Sequence, residues 1–252
     1  MRQRFAGRKA IVTGGASGIG AACARAFAAE GAFVVVADAD GVAARRTAEE
    51  IGAAAAAAAL DVTDRGAVER LFGDLTGRHG AFDILVNSAG IREILPVLEL
   101  DAQTWQRVLA VNLDGTFHMS QIFARSVVAA AIPAAIVNLS SSAGLMGVPN
   151  RAAYVAAKHA IVGLTREMAM ELGAYAIRVN AVAPGSVRTP LTERYFSDPE
   201  LVRRLNAAHP LGRVADPAEI AAAILFLASD EASFITGAVL PVDGGYTAGK
   251  GW

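Results

Sequence analysis

The chain has 252 residues, of which 54% are hydrophobic and 19% are charged, and 23 Lys and Arg stand against 24 Asp and Glu. This composition excludes a disordered chain, and a net charge of −1 gives no electrostatic reason to bind nucleic acid or an anionic membrane. The single cysteine, Cys23, cannot form an internal disulfide, and no Cys/His cluster has metal-ligand spacing, so we expect no metal site.

Nothing in the sequence predicts export or membrane insertion. The basic segment 1–9 lacks the apolar stretch of a signal peptide. The longest apolar run, Val127–Val137, is interrupted by Pro133 and is far shorter than the roughly 20 residues that span a bilayer. We therefore expect a cytoplasmic protein with no membrane partner.

Short apolar runs alternate with longer helix-like stretches along the whole chain, which predicts parallel strands joined by helical crossovers. Strands are predicted near Lys9–Thr13, Phe33–Ala37, Phe82–Asn87, Ala134–Leu139, Ile177–Val182 and Ala238–Pro241. Helices are predicted near Ile19–Glu30, Asp64–His79, Thr104–Ala130, Ala152–Ala174 and Pro217–Ser229. The alternation favours one doubly wound α/β domain of the Rossmann type over 1–252, with about seven parallel strands and helices on both faces.

Two segments depart from simple patterning. The alanine run Ala53–Ala59 has helix propensity, but the alternation places a buried strand there. The stretch from Pro184 to about Pro210 has no clear periodicity, and we predict an irregular substrate lid over about 186–210.

A glycine-rich turn, Thr13-Gly14-Gly15-Ala16-Ser17-Gly18-Ile19-Gly20, follows the first strand and opens a helix. Glycines in this context let the backbone approach a pyrophosphate at a helix N-terminus. Asp38 ends the second strand, where a carboxylate accepts hydrogen bonds from ribose hydroxyls and repels a 2′-phosphate, so the sequence favours NAD over NADP. Taken alone, the same residues also fit a tight turn with a surface aspartate.

A second motif, Tyr154-Val-Ala-Ala-Lys158, places a phenol and an ammonium on one helical face. A free phenol has a pKa of about 10, but a nearby ammonium and a cationic nicotinamide favour the phenolate. Tyr154 is therefore a candidate proton acceptor.

These motifs together resemble the short-chain dehydrogenase/reductase family over essentially the whole chain. The matching elements are, in order, Thr13-Gly14-x-x-x-Gly18-x-Gly20, Asp61, Asn87-x-Ala89-Gly90, Asn112, Ser141, Tyr154, Lys158, Pro184-Gly185 and Thr189. One departure is Ser88, where many members have a second Asn.

The resemblance implies that Tyr154 transfers a proton during hydride transfer and that Ser141, with Ser140 and Ser142 as alternatives, bonds the reacting oxygen. It implies that Lys158 holds the nicotinamide ribose and lowers the Tyr154 pKa, while Asn112 holds a water. The cofactor-binding residues that it implies are Gly14, Ser17, Gly18, Ile19, Gly20, Asp38, Asp61, Val62, Asn87, Ala89, Gly90, Tyr154, Lys158, Pro184, Gly185, Val187 and Thr189.

Arg92 and Arg151 occupy positions where family members contact substrate, so we hypothesise an anionic substrate bound by these two side chains together with Ser141 and Tyr154. The alternative is that both are solvated, with Arg92 paired to Glu93. An apolar wall of Leu145, Met146 and Val148, and a cover formed by Tyr195 and Phe196, are expected to complete a compact pocket.

The resulting hypothesis is an NAD-dependent dehydrogenase of small sugar acids, such as a 2-keto-3-deoxy aldonate (L-fuconate or L-rhamnonate type) oxidised at C4. A neutral-sugar dehydrogenase, a 3-oxoacyl or ketone reductase, and a non-catalytic NAD-sensing module are the alternatives. The family resemblance also implies a homotetramer, in which Trp252 of a neighbouring subunit helps to close the pocket.

Overall fold

A computed structural model describes residues 3–249, which form one seven-stranded parallel sheet in the order β3-β2-β1-β4-β5-β6-β7. The strands are β1 (Lys9–Thr13), β2 (Phe33–Asp38), β3 (Ala55–Ala59), β4 (Ile84–Asn87), β5 (Ala134–Leu139), β6 (Ile177–Pro184) and β7 (Val239–Val242). The helices are α1 (Gly18–Ala29), α2 (Gly41–Ile51), α3 (Arg65–His79), α4 (Ala102–Leu109), α5 (Gly115–Ala130), α6 (Ala152–Leu172), α7 (Pro199–Ala208) and α8 (Pro217–Ala228). The predicted single Rossmann-type domain is confirmed.

Two apolar layers enclose the sheet. One includes Phe27 of α1 and Ile224 of α8, and the other includes Phe72 of α3 and Phe123 of α5. Both faces are therefore covered, as a parallel sheet requires, and the strand order reverses between β1 and β4. Ligands bind to such sheets in the crevice at this reversal, beyond the carboxyl ends of the strands. No helix within 3–249 is long and apolar enough to cross a membrane.

The alanine run does form a strand, but the prediction that it is buried is wrong. β3 lies at the edge of the sheet, and Ala57 and Ala59 are exposed. Hydrogen bonding to β2 therefore overrides the helix propensity of alanine, without the apolar burial that was expected.

The region predicted to be irregular contains a helix, α7, which is a correction to the sequence analysis. Asp198 begins it by accepting hydrogen bonds from the backbone N–H groups of Glu200 and Leu201, and Pro199 occupies the first turn. An N-cap aspartate followed by proline is a recognisable start signal that predicts this helix.

The predicted helix Thr104–Ala130 is continuous but changes geometry in its middle. A π-helical turn, Ala110–Asp114, joins α4 to α5 and contains Asn112. Single π turns inside α-helices are frequent at functional sites because they re-aim side chains.

Candidate active site

The glycine turn between β1 and α1 is packed too closely for larger residues. A Cβ on Gly20 would stand 2.1 Å from the carbonyl oxygen of Gly14, and one on Gly14, where φ is +61°, would stand 2.8 Å from Cα of Ala89. Ser17 is the N-cap of α1 but its side chain makes no capping hydrogen bond. The first N–H groups of α1, which have no intrahelical partner, thus face the cavity as a ready anion-binding surface.

Two carboxylates at the ends of neighbouring strands line the same cavity. Asp38 accepts hydrogen bonds from the backbone N–H of Ala16, at 3.1 Å, and of Asp40, at 3.0 Å. Asp61 accepts from the backbone N–H and the hydroxyl of Thr63 at 2.9 and 2.8 Å. Both carboxylates are therefore fixed in place by their own loops.

Tyr154, Lys158 and Ser141 converge at the other end of the cavity. The Lys158 ammonium lies 5.5 Å from the Tyr154 ring centroid and donates a 2.7 Å hydrogen bond to the carbonyl of Leu139. The Ser141 hydroxyl lies near the Tyr154 phenol and acts to lower its pKa. Ser140 instead donates to the carbonyl of Lys158 at 2.9 Å, so the geometry favours Ser141 as the serine beside the phenol.

Burial shifts the pKa values of both Tyr154 and Lys158, the two α6 side chains at this end of the cavity. Desolvation raises the pKa of Tyr154, while the Ser141 hydroxyl and the positive charges of Arg92 and Arg151 act to lower it. Desolvation also lowers the pKa of Lys158 to about 8. Desolvation is the largest influence on the Tyr154 pKa, and the expected lowering of that pKa by Lys158 stays a prediction.

The π turn places the side chain of Asn112 in the same cavity as Lys158. The Asn112 amide nitrogen donates to the carbonyls of Ile91 and Val108, both at 2.8 Å, which fixes the side chain. Its oxygen is buried and has no hydrogen-bond partner in the described part of the chain. That oxygen and the Lys158 ammonium lie 2.7 and 3.8 Å from the point where a Cβ on Gly90 would stand, so the unfilled acceptor and the ammonium both border the space beside Gly90.

Asn87 does not line the cavity, in contrast to its predicted cofactor contact. It is the last residue of β4, and its side-chain amide donates to Ser120 of α5 and to Asn138 of β5, both at 2.8 Å. Asn138 in turn donates to Thr165 on α6. The polar network supports the strand ends, and Ser88 takes the position at the cavity wall.

We expect Asn87→Ala to lower the free energy of unfolding by about 2 kcal/mol, because it leaves buried partners of the amide unpaired. NADH affinity should change less than twofold. Urea unfolding and fluorescence titration measure the two quantities, with Ser88→Ala as the matched control that leaves stability unchanged. A large loss of NADH affinity at unchanged stability would instead show that the carboxamide contacts the cofactor.

Two arginines and a tyrosine form the remaining wall. Arg151 donates a 2.7 Å hydrogen bond to the Tyr195 hydroxyl, and the Arg92 guanidinium lies 4.9 Å from the Tyr195 ring centroid and donates to the carbonyl of Leu191. One terminal nitrogen of Arg151 is buried with no partner in the described ranges. Arg92 does not pair with Glu93, so that alternative for Arg92 is wrong: Glu93 instead accepts hydrogen bonds from the start of α6.

The cavity has a volume of about 590 Å³ and extends from the glycine turn to the two arginines. Among residues 3–249, every predicted site residue except Asn87 lines it. Val148 and the lid residues Tyr195 and Phe196 also contribute, whereas Leu145 and Met146 of the expected apolar wall are exposed and do not. Trp252 lies outside the described residues.

Sequence reasoning missed two residues that shape the site. Sequence analysis considered Glu93 only as a partner of Arg92, whereas the structure reveals its contact with α6. Tyr246 lines the cavity, and its ring stacks on that of His209 with 5.0 Å between the ring centroids. The only local sequence signal for this contact is the pair of glycines that precedes Tyr246.

Comparison with known proteins agrees with this geometry. A family model described as enoyl-(acyl carrier protein) reductase matches residues 14–247. Galactitol 2-dehydrogenase (L-tagatose-forming) of Cereibacter sphaeroides is 46% identical, over 97% of this chain and 96% of its own length. Cis-4-hydroxycyclohexanecarboxylate dehydrogenase of Sinomonas cyclohexanicum is also 46% identical, over 98% and 100%. A solved 4-hydroxyisoleucine dehydrogenase complexed with NADH is 40% identical, with a TM-score of 0.91 over 96% of this chain and 100% of its own.

The fold, the site and these relatives define an oxidoreductase that acts on CH–OH donors, with a small secondary alcohol as substrate. The chain belongs to the short-chain dehydrogenase/reductase family.

Proposed function

We propose that this enzyme oxidises a secondary hydroxyl of a small carboxylate-bearing substrate with NAD, a sugar acid such as a 2-keto-3-deoxy aldonate oxidised at C4 being the leading candidate. The observation that carries the proposal is the pair of guanidinium groups beside Tyr154. Arg92 and Arg151 both act on the Tyr154 charge and line its cavity, and neither has a carboxylate partner within 3–249. Two unneutralised guanidiniums are suited to a bidentate carboxylate.

The glycine cradle and its surroundings fit a dinucleotide. The close packing of Gly14 and Gly20 leaves the α1 N-terminus open to a pyrophosphate, and Asp38 is held at the end of β2, where it would accept hydrogen bonds from a ribose. The segment Asp38–Gly41 carries two carboxylates and no basic residue. A 2′-phosphate would be repelled there, which favours NAD over NADP.

We assign the proton transfer to Tyr154 and the alignment of the substrate oxygen to Ser141, whose hydroxyl lines the same cavity and acts on the phenol. When bound, the nicotinamide supplies the hydride acceptor. Lys158 would hold the cofactor ribose and supply positive charge 5.5 Å from the phenol ring. The unfilled Asn112 oxygen would hold a water between Lys158 and solvent.

The segment 186–210 would act as a lid that is held by the same arginines that bind substrate. Arg92 and Arg151 contact Leu191 and Tyr195 on this segment. A substrate carboxylate would compete for these N–H groups, so binding of the anion and movement of the lid would be linked. Tyr195 and Phe196 line the cavity and, with the lid in place, would cover the substrate and exclude water.

A neutral polyol is the second candidate, and it is favoured by the similarity to galactitol 2-dehydrogenase. The names of the other two relatives, a hydroxycyclohexanecarboxylate dehydrogenase and a 4-hydroxyisoleucine dehydrogenase, favour a carboxylate. The two candidates differ in how strongly catalysis depends on the arginines.

The substitution Arg151→Ala distinguishes the carboxylate substrate from the neutral polyol. We expect KM for a carboxylate substrate to rise about 30-fold, because a charged hydrogen-bonded pair is lost, and KM for a neutral alcohol to change little. The matched control is Arg166→Ala, an exposed arginine on the same helix, which should behave as the wild type. An equal loss for both substrates would contradict the carboxylate assignment.

We also propose the homotetramer that the family resemblance implies. Apolar side chains are exposed on the helices that would form its contacts, with Met170 on α6 at 85% and Phe117 on α5 at 39% exposure. Light scattering tests this directly, since a monomer in solution would contradict it.

A further inference from the structure

Glu93 is a buried acidic side chain that contacts the start of α6 next to the site, and neither the motifs nor the relatives assign it a role. It follows Arg92 in the loop after β4, yet only 5% of its surface is exposed. One carboxylate oxygen accepts hydrogen bonds from the backbone N–H groups of Ala153, at 2.8 Å, and Tyr154, at 3.2 Å. The other oxygen is buried with no hydrogen-bond partner among the residues that the structure describes.

These contacts replace a local helix cap. Arg151 is the N-cap residue of α6 and its side chain makes no capping hydrogen bond. The first N–H groups of a helix need acceptors, and an anion there is favoured by the helix dipole. Glu93 therefore caps α6 from a distant segment, and its bond to the amide of Tyr154 ties that residue to the end of β4.

The same carboxylate is part of the electrostatic surroundings of the Tyr154 phenol. Lys158 faces the phenol from one turn along α6, and Arg151 from the helix start. Arg92 and Glu93 act on it from the loop after β4, with opposite signs. Two neutral hydroxyls line the same cavity, those of Ser141 after β5 and of Tyr195 on the lid, and the Tyr195 hydroxyl accepts a hydrogen bond from Arg151.

We propose that Glu93 is a positioning residue, which fixes the first turn of α6, where Tyr154 lies, and keeps one negative charge close to that residue. This inference rests on the proposed proton transfer by Tyr154. The negative charge opposes deprotonation of the phenol, so it offsets part of the effect of the two arginines. The cap, in turn, holds Arg151 and Tyr154 at fixed positions relative to Arg92.

Two substitutions separate the cap from the charge. Glu93→Ala removes both, and we expect kcat to fall about tenfold, since a misplaced proton acceptor slows the chemical step. Glu93→Gln keeps an oxygen that can accept from both amides but removes the charge. It should restore most of kcat and move the acidic limb of the kcat–pH profile for alcohol oxidation to lower pH by about one unit.

A second measurement, which does not depend on turnover, complements the kinetics. The phenolate absorbance of the cofactor-free wild type, minus that of Tyr154→Phe, reports the titration of Tyr154 alone, and Glu93→Gln should lower its pKa in the same direction. Glu99→Gln, an exposed acid on the same loop, is the matched control and should shift neither measurement.

The proposal is overturned if Glu93→Ala keeps full kcat, or if Glu93→Gln leaves both the pH profile and the phenolate titration unchanged. If Glu93→Ala does not fold, the two pH measurements on Glu93→Gln decide. If Tyr154→Phe retains wild-type turnover, the proton-transfer assignment has failed instead, and the phenolate titration still tests the effect of Glu93 on Tyr154.

Discussion

Replacing Tyr154 by Phe should lower kcat by about 10³-fold, because it removes the only hydroxyl proposed to move the proton. The ring of Phe fills the same space beside Lys158, and the glycine cradle at α1 is untouched. NADH affinity, measured by fluorescence titration, should therefore stay within about twofold of the wild type. Loss of turnover with intact cofactor binding identifies a group that acts in the chemical step.

The matched control is Tyr175→Phe, which removes a hydroxyl from a tyrosine that is 54% exposed just after α6. It should leave both turnover and NADH affinity unchanged. Wild-type turnover in Tyr154→Phe would contradict the proton-transfer assignment.

Lys158→Met should have opposite effects on activity and stability. Turnover and NADH affinity should fall, because the ammonium that faces the phenol and the proposed ribose site is lost. The free energy of unfolding at pH 7 should rise by about 2 kcal/mol. Burial holds the Lys158 pKa at about 8 against an ordinary value of about 10.4, a difference of about 3 kcal/mol, and the lost hydrogen bond to Leu139 offsets about 1 kcal/mol.

The gain in stability should depend on pH in a definite direction. Below pH 8 the wild type carries a buried ammonium whose burial disfavours folding. Between about pH 8 and 10.4 the folded protein has lost this proton while the unfolded chain keeps it, so the stability of the wild type rises with pH. The advantage of Lys158→Met should therefore be full at pH 7 and shrink toward pH 10.

Urea unfolding at both pH values, at matched protein concentration, measures this effect. Lys9→Met is the matched control, since that ammonium also donates to a backbone carbonyl, of His79, but is only partly buried. It should give no gain at either pH. A loss of stability in Lys158→Met at pH 7 would show that the hydrogen bond and charge network outweigh the burial of the ammonium.

The sequence predicts the sheet and the common placement of Tyr154 and Lys158 on one helix because both depend on local patterns. The β-branched runs of β1, β2 and β4 and the glycine turn between β1 and α1 each require particular residues at fixed spacing. The spacing of Tyr154 and Lys158 follows from one helical turn, so their common face could be inferred without the structure.

The features that sequence reasoning missed depend on contacts between distant segments. Asn87 faces Ser120 and Asn138 rather than the cavity, and no local signal distinguishes the two directions at a strand end. Glu93 meets α6 only because β4 and β5 are neighbours in the sheet. The start of α7 is the exception, since Asp198-Pro199 is a local signal that pattern analysis of the lid overlooked.

The central claim is tested most directly by initial rates of NAD⁺ reduction. The substrates are matched pairs of sugar acids and their uncharged counterparts, 2-keto-3-deoxy acids included, and NADP⁺ in place of NAD⁺ is the control. The arrangement of Arg92, Arg151 and Asp38 predicts a kcat/KM at least tenfold higher for the acid of each pair, and only with NAD⁺. Higher kcat/KM for the uncharged partners would contradict the carboxylate site, and preference for NADP⁺ would contradict the role of Asp38.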